Sequence, residues 1–394
     1  MPQQRVLVAH PGAELYGSDR MVAESVAGLV EAGCQVVVAL PATGPLVARL
    51  EQLGASVVQV RMPVLRKSAL SPRGLAALVA DAVTGLPTAF RLARRAGRDG
   101  VYVSTLTLPL WPVVARLAGR RVTVHVHEAE GSQPALLRAV LAAPTLVAHR
   151  VLVNSRYAQD VLARTSARVA HRATVVHNGV AGPPAVHPPR PVLDDPLRLV
   201  FVGRLSHRKG PQVAVALLAE LARRGVTARL QLAGAVFEGN EAFAEDLRAQ
   251  VAGLGLTGQV DLLGFTDDVW SVLAANDVVL VPSLLDEPFG NTAVEAVLAA
   301  RPVVVSATSG LREAAAGYPT AVVVPPGDVA AWADAVQGLT ADWPAVVSAV
   351  QDSLRTAVER HAPATYRTRL AALTLTGAAG GRRDGEGRPG RRRA

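Results

Sequence analysis

Residues 282–296 read Pro-Ser-Leu-Leu-Asp-Glu-Pro-Phe-Gly-Asn-Thr-Ala-Val-Glu-Ala, the order of a strand end, a polar turn and a helix start. The helix is expected to begin near Gly290, Asn291 and Thr292, where first-turn N–H groups and the helix dipole suit an anion. Glu287 precedes the turn and Glu295 lies about a turn inside the helix. The first carboxylate is placed to hold sugar hydroxyls, the second to reach a ribose diol. Alone, the pair also fits a helix-capping acid beside a surface acid. VGRLSHRKGP (202–211) supplies what that stretch lacks. Arg204 offers planar bidentate contacts to phosphate, Lys209 a point charge, and Gly203 a close backbone approach. A lone basic turn is ordinarily just solvated. On neighbouring strands, though, the two stretches make a diphosphate cradle with carboxylates alongside, which fits a nucleoside diphosphate sugar.

These residues need a frame of strands, and the sequence supplies one. Short β-branched runs at 5–10, 35–40, 56–61, 100–104, 121–127, 149–155 and 173–179 alternate with segments of helical period such as 20–33 and 73–83. A second set follows at 197–203, 229–234, 260–265, 277–283, 302–306 and 321–325. Alternating β and α implies parallel sheets with helices on both faces. The expected fold is α/β, two tandem Rossmann-like domains facing across a cleft. Their bounds are 1–185 and 197–355, joined by a proline-rich linker at 186–196. Ligands of such sheets sit at the carboxyl ends of the strands. Gly253, Gly255 and Gly258 match a GxGxxG dinucleotide pattern, but they follow a helix and precede a strand, so they read as a helix end and a turn.

Composition narrows the classes. Half the residues are hydrophobic, and the chain is long enough for two full cores. The single cysteine, Cys34, excludes a disulfide framework and a cysteine zinc cluster. Residues 1–10 read as a strand rather than a signal peptide, and no uncharged apolar run of bilayer-spanning length is evident. A reducing, cytoplasmic setting is expected. The net charge of +9 is uneven: residues 1–185 carry 20 Lys and Arg against 10 Asp and Glu, residues 186–381 carry 15 against 20. Basic segments at 65–68, 91–98 and 119–121 read either as solvated helix faces or as a contact with an anionic membrane. Residues 374–394 are expected to form a disordered basic tail. The basic balance alone does not indicate nucleic-acid binding, because aromatic and basic residues are not interleaved and the back half is acidic.

Taken together, the motifs resemble those of the family 4 retaining glycosyltransferases of the GT-B fold. Glu287 and Glu295, with Phe289 and Gly290 between them, are similar to that family's E-x7-E signature. The resemblance extends from Gly12–Ser18 through His127-Glu128, Asn154-Ser155, His177–Val180, Val202–Arg204, Lys209-Gly210, Leu263–Phe265, Asp277 and Pro282-Ser283 to Pro325–Asp328. It implies that Arg204 and Lys209 hold the diphosphate and stabilise it as it leaves, and that Glu295 holds the ribose. It implies further that backbone N–H groups around Phe289, Gly290, Asn291 and Thr292 hold phosphate and sugar hydroxyls, while Glu287 orients the sugar. Leu263, Gly264 and Phe265 would border the base, and Gly17 would bring the first loop to the phosphates. His127 would meet the transferred sugar, with Glu128 and Glu130 on the acceptor side. The family's last helix crosses back to the first domain, and residues 356–373 are the candidate. Three places depart from the pattern: Asn291, Arg301 in Ala300-Arg301-Pro302, and Tyr16 before Gly17.

The function these features imply is transfer of a hexose-type sugar from a nucleoside diphosphate sugar to a hydroxyl, with retention and with no metal or other cofactor. The acceptor would be a carbohydrate, a lipid-linked sugar or a small molecule, in the making of a surface polysaccharide, glycolipid or glycosylated metabolite. A GT-B nucleotide-sugar epimerase and a non-catalytic glycosyltransferase-like subunit are the alternatives.

Overall fold

A computed structural model describes residues 3–65, 71–129, 131, 134–236 and 241–375. The first half holds β1 (Arg5–Ala9), β2 (Gln35–Leu40), β3 (Ser56–Gln59), β4 (Val101–Val103), β5 (Val122–Val126), β6 (Arg150–Val153) and β7 (Ala173–Val175). The second holds β8 (Leu197–Val202), β9 (Ala228–Ala233), β10 (Val260–Gly264), β11 (Val278–Val281), β12 (Val303–Ser306) and β13 (Ala321–Val324). Each set pairs in parallel, in the orders β3-β2-β1-β4-β5-β6-β7 and β10-β9-β8-β11-β12-β13. Both faces of the first sheet are covered by α1 (Gly17–Glu31), α2 (Pro45–Gln52), α3 (Pro72–Arg95), α4 (Leu110–Leu117), α5 (Ala135–Ala142), α6 (Arg156–Ala163) and α7 (Ala167–Arg172). Around the second lie α8 (Pro211–Arg223), α9 (Glu241–Gly253), α10 (Val269–Ala274), α11 (Asn291–Leu298), α12 (Ser309–Ala315), α13 (Val329–Ala341) and α14 (Trp343–His361), and α15 (Pro363–Leu375) ends the fold.

The strands are apolar on both faces because both are covered. In β1, Val6 and Val8 join Met21, Val22, Val26 and Leu29 of α1, whereas Leu7 and Ala9 join Ala89, Ala93 and Trp111 on the opposite face. In β8, Leu199 and Phe201 pack with α8 and α13, and Val200 packs with Val294, Val297 and Leu298 of α11. Strand order reverses beside β1 and beside β8, which opens a crevice at the carboxyl end of each sheet. These are two parallel α/β sheets in tandem, as the alternating runs imply.

The segment between the halves is fastened to the second one. Arg190 pairs with Asp277 at 2.6 Å, and Trp343 Nε1 donates to the Arg190 carbonyl at 2.7 Å. Arg301, 3% exposed, gives its donors to the carbonyls of Ala274, Asn276, His187, Ala299 and Ala300. The arginine at this departing position therefore satisfies helix-end carbonyls and ties down the linker.

Two elements differ from expectation. Residues 356–373 are not one helix: α14 ends at His361, and α15 starts at Pro363, which cannot donate the N–H that a continuous helix needs. Helix α14 touches the first half through its last residue, His361, and α15 packs on it, where Arg367 reaches Glu24 at 2.7 Å and Glu31 at 2.6 Å and the Tyr366 hydroxyl meets Ser25 Oγ at 2.8 Å. Helix α3 is long and apolar enough by length and composition to cross a membrane, although no uncharged run betrays it. Gly85, Ala89 and Ala93 are buried and seat it on the domain. Arg66, Lys67 and Ser68 of the 65–68 segment, and tail residues 376–394, lie outside the described residues.

The seating of α15 depends on Gly28, since a Cβ there would stand 2.7 Å from the Arg367 carbonyl oxygen. Gly28→Val should lower stability by about 1–3 kcal/mol, read as a lower urea midpoint. An unchanged midpoint would show that the two helices do not need this close approach.

Candidate active site

The carboxyl ends of β8 and β11 meet the loops after β1 and β5 around a cavity of about 380 Å³. From the second half Gly203, Arg204, Lys209, Phe265, Glu287, Phe289, Gly290, Asn291, Thr292 and Glu295 line it, and from the first Gly17, His127 and Glu128. Gly264 ends β10 with φ 71° and is not among the lining residues. Glu130 lies outside the described residues.

Local backbone chemistry brings the two loops together. Gly210, with φ 73°, follows Lys209, and a Cβ on it would stand 2.0 Å from the Pro282 carbonyl oxygen. Only glycine allows the β8 loop to lie this close to the end of β11. Gly290, with φ 111°, is the N-cap of α11, and no side chain caps that helix start. The first turn of α11 therefore presents backbone donors toward the cavity wall formed by Gly290, Asn291 and Thr292.

Charge is concentrated beside that turn. Glu287, 5% exposed, has its Oε1 2.8 Å from Lys209 Nζ and 3.8 Å from Arg208, and accepts from Ser283 Oγ at 3.0 Å. Burial alone would raise its pKa, but Lys209 and Arg208 outweigh it and hold the carboxyl below its ordinary range. For Glu295 burial wins: its carboxyl is pushed up despite Arg20 and Lys209.

The first half reaches across. Arg20 lies 3.5 Å from Glu295, the Arg204 guanidinium sits 5.3 Å from the centre of the Tyr16 ring, and Asn178 Nδ2 donates to Asn291 Oδ1 at 2.7 Å. Ser155 Oγ donates to the Pro288 carbonyl. His127 lies with His125 4.1 Å away, ring centre to ring centre, and its buried Nε2 has no protein partner among the described residues. Burial, with His10 nearby, pushes its pKa down to about 3. Glu128 is held by the loop after β4: the Thr105 hydroxyl donates to it, as do the N–H groups of Leu106 and His127, each at 3.2 Å. Burial still pushes its carboxyl up. Among the described residues no three His, Cys, Asp or Glu side chains converge as a metal-binding group.

Sequence reasoning missed Arg208 and Arg20, and it noted Tyr16 only as a departure in the first loop, with no role in the site. Arg208 was within reach, being adjacent to Lys209 in the basic turn. Arg20 carries no local signal, and the contact that Tyr16 makes could not be read locally, since both partners belong to the other half of the chain.

The cleft thus has cations and a helix start without a side-chain cap on one side and a histidine on the other, and sequence comparison identifies the class of its two halves. Residues 16–181 match the family model Glycosyltransferase Family 4, and residues 186–354 match Glycosyl transferases group 1. Together the matches take in most of the chain, which belongs to the GT-B glycosyltransferases. It is 36% identical to the 2-deoxystreptamine glucosyltransferase of Streptomyces kanamyceticus over 144 residues, 36% of each chain. It is 35% identical to the D-inositol 3-phosphate glycosyltransferase of Corynebacterium jeikeium over 169 residues, 41% of this chain and 38% of that one. The chain thus matches little more than a third of the length of these curated relatives. The crystal structure of Anabaena Alr3699/HepE in complex with UDP and glucose shares the fold, with TM-score 0.79 and 21% identity, covering 95% of this chain and 100% of that one.

His127 is expected to stay neutral from pH 8 down to about pH 4, serving as a hydrogen-bonding group rather than a cation. An NMR titration with the signal assigned through His127→Gln checks this, and a midpoint near the ordinary 6.5 would contradict it.

Proposed function

We propose that the chain transfers a hexose-type sugar from a nucleoside diphosphate sugar to an acceptor hydroxyl with retention at the anomeric carbon. The observation that carries this reading is the grouping of Arg204, Arg208 and Lys209 beside the uncapped start of α11, with Glu287 and Glu295 next to them. Arg204 and Lys209 hold the diphosphate, Glu295 takes the ribose, and Phe265 borders the base. Glu287, kept ionised by Lys209, orients the sugar hydroxyls, and His127 meets the sugar from the first half. The bond from the anomeric carbon to the phosphate oxygen breaks as the acceptor oxygen bonds on the same face. The acceptor proton passes to the leaving diphosphate. Two cations and a helix start neutralise the developing charge in place of a divalent metal.

Hydrolysis and transfer with UDP-, GDP-, ADP- and dTDP-sugars identify the donor. Arg204→Gln and Lys209→Gln should lower turnover about a hundredfold or more with the fold intact by circular dichroism. Glu287→Gln should do the same while avoiding a cavity. Wild-type-like turnover in all three would refute the assignment, and appearance of an epimerised sugar without any acceptor would mark an epimerase instead.

The acceptor is proposed to be reached at an anionic membrane, at its cytoplasmic face. Leu75, Val79, Val83 and Leu86 of α3 are 41–67% exposed, and their spacing aligns them on one helix face. Arg91, Arg94, Arg95 and Arg98 are exposed at the end of the same helix and just beyond it. An apolar stripe with cations beside it suits an anionic lipid surface. Vesicles of phosphatidylglycerol should carry the protein upward in a flotation gradient, and Val79→Glu with Val83→Glu should leave it at the bottom. No flotation of the wild-type chain at moderate salt would sink this part of the reading.

A further inference from the structure

Tyr16 is one of the three departures noted in the sequence, and the cavity gives it a task. Its backbone is extended, with φ −77° and ψ −179°, a conformation any residue adopts, so nothing in the chain path calls for glycine there. The loop that carries it is anchored without the ring. The Tyr16 N–H donates to Asp19 Oδ2 at 2.9 Å, and its carbonyl accepts from the Arg20 N–H at 2.9 Å. Asp19 is in turn held by His10 Nε2 at 2.7 Å, and His10 Nδ1 meets Ser104 Oγ at 2.6 Å. The ring projects from this buried anchor into the cavity, where its centre lies 5.3 Å from the guanidinium carbon of Arg204.

That distance is within the range of a cation–π contact. A cation–π contact draws on the charge of the whole guanidinium, whereas phosphate is gripped by its planar N–H fork, so the one contact does not preclude the other. It also joins the two halves, since Tyr16 precedes α1 and Arg204 follows β8. An arginine on a flexible stem loses rotamer freedom when it binds an anion, and a ring that already holds it reduces that loss.

We infer that Tyr16 is a positioning residue for the donor diphosphate: its ring holds Arg204 across the cleft, so the first half strengthens phosphate binding without contacting phosphate through this side chain. The inference rests on the donor site proposed above and adds to it a residue at a position where the sequence departs from the family's pattern.

Isothermal titration with UDP, and with GDP, ADP and dTDP should UDP fail, separates the two levels. A wild-type chain that binds none of the four overturns the donor site, and this inference with it. Where one binds, Tyr16→Leu should weaken it roughly threefold to thirtyfold. Tyr16→Phe, which keeps the ring, should remain within about twofold of wild type. In an Arg204→Gln background, Tyr16→Leu should change affinity by less than about twofold, because its partner is already gone. With a working sugar donor, Tyr16→Leu should raise donor KM more than it lowers kcat. Unchanged affinity in Tyr16→Leu, failure of Tyr16→Phe to preserve binding, or the same loss in the Arg204→Gln background would each overturn the inference.

Discussion

A carboxylate cannot be buried without compensation, and Glu287 is the place where this chain meets that constraint. Taking the charge out of water costs several kcal/mol, and only close cations and hydrogen bonds offset it. Lys209 at 2.8 Å, Arg208 beyond it and Ser283 at 3.0 Å supply the compensation. Each comes from the carboxyl end of one of two adjacent strands, β8 and β11. Satisfying this one acid therefore sets the two loops side by side and pulls the basic turn against the start of α11. The result is a pocket wall on which Arg204, Arg208 and Lys209 outnumber Glu287.

The second sheet alone would leave that pocket half-walled. Asn178 to Asn291, Ser155 to the Pro288 carbonyl, and His177 to Glu313 at 2.6 Å bridge the halves near the pocket. Farther away, α15 returns to pack on α1, and the linker is secured through Arg190 and Arg301. Several of these bonds involve short side chains or backbone carbonyls, which hold geometry more tightly than long exposed ion pairs do. His127 and Tyr16 are thereby delivered to the same cavity as the basic turn of the second half. The same enclosure keeps the His127 ring neutral, because a buried imidazole resists taking up charge.

Much of this was legible in one dimension. The β-branched runs were readable as strands because a strand covered on both faces must be apolar throughout, and β1 and β8 show that pattern. The helix start near Gly290 was readable because a polar turn follows the strand run that ends at Ser283, and Gly290 is indeed the N-cap. The glycines at 253, 255 and 258 were rightly set aside, as α9 ends at Gly253 and β10 begins at Val260. The division of the last helix was less visible, although Pro363 is its local signature.

The sequence by itself determined the alternating elements, the two parallel sheets and the candidate cations and acids of the second half, since each rests on interactions between residues near one another in the chain. The tertiary structure alone decided that Arg20 reaches Glu295, that Tyr16 meets Arg204 and that Arg301 secures the linker. It also decided the opposite pKa directions of the two acids, Glu287 lowered and Glu295 raised. The reason is physical: burial and charge act through space, and a residue's neighbours in the folded chain are set by sheet order and packing, not by its neighbours in sequence.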